Sequence, residues 1–353
     1  MSYSFGKKFI ITTFGESHQK AVGITIEGLP AGAFYPEETI SRELAKRAPG
    51  QKGTTQRKEA DIPNVLCGVL DGVFTGSALT ATFENSNVRS KDYPFMFRPS
   101  HSDYPAYVKY EGHNDRRGGG QFSARLTLPI VYAGAIAQSL LETLNISIHC
   151  HLTGVGPLRF SRYQDFDHLD DEIPEEVYAY LSKLNGDSVG AKIECAILGV
   201  PCGIGEPLYD SIESKLSHLL FSIPGLKGVT FGDAIEMAKG FGSEMNDTYY
   251  KENDSLKTTT NHNGGILGGI STGMPIIFET YLKPTSSIGI AQTTYDPQTD
   301  EMGTLEIHGR HDPCIGIRAI PIVQAVSAIV IYDLLMEKYG TYRNALEELG
   351  CQI

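Results

Sequence analysis

Two histidines sit in polar, turn-rich sequence where packing alone would not choose an imidazole: His18 in TTFGESH (12–18) and His101 in RPSHSDYPAYVKY (98–110). Each can exchange a proton near neutral pH, which makes both candidates for general acid or base work. Ser17 beside His18 suggests a hydrolase nucleophile, but adjacent residues seldom reach triad geometry and the chain has no GxSxG turn. A third titratable knot, His311 with Asp312 in GRHDPCIGIRAIP (309–321), runs straight into an apolar segment. Its carboxylate reads either as a cap at the start of a helix or as a group presented to a ligand there.

Cationic clusters surround these positions. Arg42, Lys46, Arg47, Lys52, Arg57 and Lys58 are set against Glu43; Arg89, Lys91, Arg98, Lys109, Arg116, Arg117 and Arg125 are set against Asp92, Asp103, Glu111 and Asp115. The chain as a whole is acidic, with 30 Lys and Arg against 42 Asp and Glu and a formal net charge of −12. That balance argues against a general electrostatic grip on nucleic acid or an anionic membrane. The local reversals are either solvated loops with scattered ion pairs or the lining of a site for a small polyanion, because guanidinium forks match carboxylates and phosphates. Three glycine-rich loops, at 118–120, 225–228 and 264–269, would let backbone N–H groups approach a phosphate or a flat ring, although tight turns use the same glycines. None is a Walker loop, and none is a GxGxxG turn after a strand.

Metal chemistry has less support. His149 and His151 flank Cys150 on one face of an alternating run, but no third ligand is near them, so they read as structural and no metal site is expected. Cysteines 67, 150, 195, 202, 314 and 351 form no CxxC pair and sit mostly in apolar runs, which predicts reduced, buried thiols. The N-terminus lacks a long apolar run with a cleavage site. The apolar stretch near 319–336 is broken by Pro321, Gln324, Ser327 and Asp333, so it reads as a buried helix and a cytoplasmic location is expected.

The elements that must position these residues follow from periodicity. No linker or repeat divides the 353 residues, which predicts one domain over 1–353. VGITIEGL (22–29), ALTATF (78–83), ISIHCHL (146–152) and AKIECAIL (191–198) alternate like strands. Ile130, Ile136, Leu140, Leu141 and Leu144 recur at helical spacing after Pro129. Ile212, Leu216, Leu219, Leu220 and Ile223 do so after a capping box of Asp210 and Glu213. Asp233 and Glu236 repeat that box, with Gly240 as the expected stop. Strands come in groups, so the predicted class is α+β with antiparallel sheets.

Taken together, the motifs resemble those of chorismate synthases. The resemblance runs through TTFGESH, TTQRKEAD (54–61), NSNVRSKDY (85–93), RPSHSDY (98–104), RRGGGQFSAR (116–125), GDSVGAK (186–192), GVPCGIGEP (199–207), SIPGLKGVTFGD (222–233), NHNGGILGGISTG (261–273), KPTSSI (283–288) and GRHDPC. It implies helices sandwiched between antiparallel sheets, a homotetramer, and a lyase of the shikimate pathway in aromatic amino-acid biosynthesis. That lyase converts 5-enolpyruvylshikimate 3-phosphate to chorismate and phosphate by anti-1,4-elimination and needs reduced FMN. The reduced flavin is supplied by a separate reductase or by NADPH. The substrate carries roughly −3.5 to −4 charges, which gives the basic clusters a task.

By motif, Arg47 and Arg125 would hold substrate anions, with Arg42, Lys52 and Arg57 as helpers. Gln121, Phe122, Ser123, Pro224, Gly225, Gly268, Lys283, Pro284, Thr285, Ser286, Ser287 and Arg310 would line the flavin. The resemblance further implies that His18 meets the departing phosphate and that His101 stabilises the reduced ring. Asp312, Ser123 and Ser17 would tune proton movement. The sequence departs from the family pattern at Gln19 and Ser100, where Gly is usual, at Leu126, where an acid is common, and at Gln121-Phe122, where Arg-Ser is common. Loss of a charged hydrogen bond at Gln121 is expected to weaken binding by roughly 1.5–3 kcal/mol. The alternative reading is a non-catalytic paralogue that binds flavin or substrate on the same scaffold.

Overall fold

The computed structural model describes residues 3–54, 61–85, 96–163, 165–166, 169, 171–253, 255–307 and 312–351. Two five-stranded sheets form its outer layers. The first contains β1 (Ser4–Phe5), β2 (Ile10–Gly15), β3 (Ala21–Glu27), β4 (Asn64–Cys67) and β5 (Leu79–Glu84) in the order β1-β2-β3-β5-β4. The second contains β6 (Ser147–Val155), β7 (Leu158–Arg159), β8 (Ala191–Leu198), β9 (Leu226–Phe231) and β10 (Ile276–Leu282) in the order β9-β10-β8-β6-β7. Every pairing in both sheets is antiparallel. The alternation in ALTATF has its physical basis in β5, where Leu79, Ala81 and Phe83 are buried and the threonines between them are not.

Five helices frame the site: α1 (Glu37–Arg47), α2 (Asp103–Lys109), α3 (Thr127–Glu142), α4 (Ile212–Leu220) and α5 (Gly316–Tyr339). α3 packs on the first sheet, α5 on the second, and the two pack on each other, so the fold is an α+β sandwich with helices inside. Their close approach depends on small residues. A methyl group added at Gly134 would stand 2.2 Å from the Cβ of Ala325, so a larger side chain would force the helices apart. The stretch Ala124–Glu142, which contains α3, and α5 have the length and hydropathy of a membrane span, yet 83% and 94% of their apolar windows are buried within the protein, as core helices are.

One acid interrupts this apolar layer. Asp333, 0% exposed on α5, accepts the backbone N–H groups of Lys7, Lys8 and Phe9 at 2.9, 2.7 and 2.9 Å. The N-terminal segment is thereby fastened to the central helix, and a buried charge finds its hydrogen bonds.

The helix starts differ from the expected capping boxes. Ser211, not Asp210, caps α4 by accepting from the N–H of Ser214 at 3.0 Å, while Asp210 pairs with Lys7 at 2.7 Å. The second box yields a short helix, Ala234–Met237, with no side-chain cap. Asp233 is instead bound to Arg162 and His262, and Gly240 lies beyond the helix without the left-handed backbone of a glycine stop. The thiols also divide: Cys150, Cys195 and Cys314 are buried, but Cys67 and Cys202 are exposed and Cys351 is half-buried. Cys67 lies on β4, the exposed edge strand of its sheet, and Cys202 in a turn, so neither apolar neighbourhood becomes core. His149 and His151 are held by Asp171 and Glu194, and His151 stacks on Tyr163 with ring centroids 3.8 Å apart.

Candidate active site

A cavity of about 760 Å³ opens where the ends of the sheets meet the first turns of α3 and α5. Ser17 and His18 reach it just after β2, His101 from the loop before α2, and Asp312 from the approach to α5. Bare backbone joins the two imidazoles. Gly118, Gly119 and Gly120 all have positive φ, at 59°, 83° and 52°. A methyl group on Gly118 would lie 2.4 Å from Nε2 of His18, and one on Gly119 3.4 Å from Nε2 of His101. The backbone twist favours glycine at all three positions, and lack of space demands it at Gly118 and at Gly120, where a methyl group would stand 2.1 Å from the Asp115 carbonyl. Ser17 ties the same strand of chain down, donating from Oγ to the Gly118 carbonyl at 3.0 Å.

His101 is oriented from behind. Its Nδ1 lies 2.7 Å from Oδ1 of Asp103, the first residue of α2, and the Arg98 fork binds both oxygens of that carboxylate at 2.8 Å. Burial works against the Asp103 charge, but the hydrogen bonds from Arg98 and His101 outweigh it and hold the carboxyl well below the usual range. An ionised Asp103 only accepts, so Nδ1 carries the proton; the 3.1 Å approach of the Arg98 fork to Nδ1 is then a contact and not a donated bond. Nε2 is left on the side of Gly119 and the cavity.

Two buried guanidinium groups share one carboxylate. Asp61 accepts from Arg47 at 3.0 Å through Oδ2 and from Arg125 through Oδ1. Arg47 also donates to Thr127 Oγ1 and to the Ala124 carbonyl, and Arg125 to Asn85 Oδ1 and the Glu84 carbonyl. The Ser123 Oγ accepts the Arg125 N–H at 3.2 Å and so caps the turn that carries this arginine.

Elsewhere on the wall, Lys283 donates to the Ser100 carbonyl and to Ser286 Oγ at 2.6 Å. Burial, and then the charge of Lys227, push its pKa down. Asp312 does not cap α5. It accepts from Arg318, in the first turn of α5, at 2.7 Å, and Arg318 in turn donates to the Arg47 carbonyl at 2.9 Å.

The cavity thus gathers Ser17, His18, His101, Asp312, Ser123, Arg47, Arg125, Gln121, Phe122, Pro224, Gly225, Lys283, Pro284, Thr285, Ser286 and Ser287. Arg42, Lys52 and Gly268 lie off it. Arg42 pairs with Glu43 on an exposed part of α1, and Lys52 with Glu175 over the Tyr178 ring. Gly268 turns a hairpin between Ile266–Leu267 and Ile270–Ser271. Arg57, Arg310 and His311 fall outside the described residues.

Sequence reasoning missed Asp61 and Arg318 as parts of the site, counted Arg98 and Asp103 only as charge, and reached Lys227 only through the glycine loop 225–228 around it. Asp61 and the Arg98–Asp103 pair sit inside the motifs TTQRKEAD and RPSHSDY, which was the available signal. Ser100, at a usual glycine position, has φ 59°, the left-handed backbone that glycine would adopt without strain.

A family profile described as chorismate synthase matches residues 9–336. The chain belongs to the chorismate synthase family. Curated chorismate synthases from Lachnoclostridium phytofermentans and Chitinophaga pinensis are each 42% identical to it, the first covering 98% of both chains and the second 94% of this chain and 96% of the relative. The chorismate synthase of Methanobrevibacter smithii is 40% identical, over 98% of this chain and all of the relative. A solved chorismate synthase superposes with a TM-score of 0.74 at 24% identity over 98% of each chain, which shows the shared fold.

Proposed function

We propose that this protein converts 5-enolpyruvylshikimate 3-phosphate to chorismate and phosphate by anti-1,4-elimination, with reduced FMN bound in the same cavity. The observation that carries this reading is the convergence of two imidazoles, four guanidinium groups and two lysines on one 760 Å³ space in a chain of net charge −12. Such a lining suits two polyanions side by side.

The residues present fit the flavin. Lys227, Lys283, Ser286 and Ser287 offer charge and hydroxyls for its phosphate; Phe122, Pro224 and Gly225 offer uncharged wall for a ring; and the backbone at 118–120 permits close approach. Reduced FMN, when bound, supplies electron density to the breaking C–O bond and an acceptor for the proton, chemistry that no side chain here performs. Arg47 and Arg125 hold the substrate's anionic groups in register. His18 binds and protonates the departing phosphate. His101, its Nδ1 proton fixed by Asp103, turns Nε2 to the cavity, and Asp312 with Ser123 and Ser17 holds protons close to the reacting atoms. Phe122 and the loops after β10 exclude water. Arg42, Lys52 and Gly268 take no part in this assignment, and Arg310 enters it by resemblance alone. A homotetramer, one domain, a cytoplasmic location and reducing equivalents from a reductase or NADPH belong to the same reading, supported by the family.

The test is chorismate formation from the phosphorylated enolpyruvyl substrate with chemically reduced FMN under anaerobic conditions. Product formation that stops when flavin is left oxidised is the expected result. Flavin bound without product would replace the enzyme with a binding protein, and phosphate release without reduced flavin would point to a phosphatase.

A further inference from the structure

We propose that Asp61 is an internal occupant of the anion site made by Arg47 and Arg125, and that an incoming anion displaces its carboxylate from Arg125. Asp61 presents the same chemical group that a carboxylate ligand would, and it spends one oxygen on each guanidinium. Both arginines line the cavity, so this contact stands where a ligand's anion would seek the same forks. Each guanidinium donates to two further acceptors besides Asp61, and Arg125 is the more open of the two, with its side chain 9% exposed against 3% for Arg47, so the exchange is assigned to Arg125. The backbone at Asp61 has φ 44°, a left-handed conformation that a non-glycine residue holds only when its contacts insist on it.

The physical gain is a stable empty site. Two buried guanidinium groups side by side repel, and a carboxylate shared between them lets the cavity exist before any ligand arrives. The cost is competition, because every anion must take over a hydrogen bond that Asp61 already makes. The identity of the natural anion rests on the function proposed above, but the displacement itself does not.

Inorganic phosphate tests it by titration calorimetry on the full-length protein and on Asp61→Asn, which keeps the shape and removes the charge. The variant is expected to melt at a lower temperature without phosphate and to bind phosphate about tenfold more tightly than the natural protein. Phosphate caught by Lys227 and Lys283 binds alike in both proteins, so the difference isolates the arginine pair. Equal or weaker binding by the variant overturns the proposal. Should the variant not fold, the natural protein crystallised with phosphate decides: phosphate on Arg125 with the Asp61 contact opened supports displacement. An intact contact, with phosphate bound beside it or absent, overturns it. Neither measurement depends on turnover, so tight phosphate binding by a chain that makes no chorismate would refute the function and leave Asp61 as assigned.

Discussion

Two carboxylates mark the two ends of α5 and lead different lives. Asp333, fully buried, accepts three backbone N–H groups of the N-terminal segment with the Lys215 ammonium 3.6 Å away, and it does not line the cavity. Asp312 lines the cavity and accepts from a side chain there, Arg318, which itself lines the same space. A carboxylate bound by its own backbone holds the fold together; one bound by a guanidinium at a cavity wall can be exchanged. The same contrast separates Asp333 from Asp61 and Asp103, which also answer to arginines.

Substitutions at both ends of the helix would break or sharpen that contrast. The largest loss of stability is expected from Asp333→Ala, which strands three backbone donors and should cost about 3–5 kcal/mol in urea unfolding. A loss below 1 kcal/mol would show that the N-terminal segment is held by other means. At the cavity, His18→Ala and Asp312→Asn should lower turnover by about a hundredfold or more while the melting temperature moves by a few degrees at most. A variant that lost stability in proportion to turnover would make Asp312 a second Asp333.

Asp103→Asn lies between these cases and carries a pH signature. The folded carboxyl is held below its unfolded value of about 3.9, so its contribution is complete above that pH and fades as pH falls toward the folded value. The variant should therefore be less stable by about 1–3 kcal/mol at pH 7, with a smaller deficit at pH 3. A deficit that grew on acidification would reverse the assigned charge state. The smallest effect is a gain. Ser100→Gly should raise stability by about 1 kcal/mol by removing left-handed strain, and an unchanged melting temperature would show that the backbone at this position stores no such strain.

Much of the scaffold was legible because period and burial coincide. AKIECAIL reads as a strand and is one over Ala191–Leu198, and the apolar run near 319–336 reads as a buried helix and lies within α5. Caps were less legible, since Asp210 and Ser211 are neighbours of equal capping chemistry; Asp210 closes the turn Leu208–Asp210 and pairs with Lys7, and Ser211, next to the helix start, takes the cap. In the site, His18, His101 and Asp312 were visible as chemistry stranded in polar loops. Arg42 and Lys52 were read as helpers of Arg47, but side-chain direction on and beyond α1 takes them away from the cavity, and a charge count carries no direction. Asp61 was hidden for the opposite reason: an acid within a basic run reads as a neutraliser of its sequence neighbours, whereas its partners are 14 and 64 residues away.

The three glycines beside His18 and His101 limit how this pocket can evolve. Randomising codons 118–120 would return a nearly empty library, because a side chain there meets an imidazole, a hydroxyl or a carbonyl and must also adopt a disfavoured twist. Innovation must come from next door, at Gln121 and Phe122, whose side chains reach the same space from backbone that tolerates any L residue, at the cost of the Tyr3 hydrogen bond to Gln121 or the Tyr110 contact of Phe122.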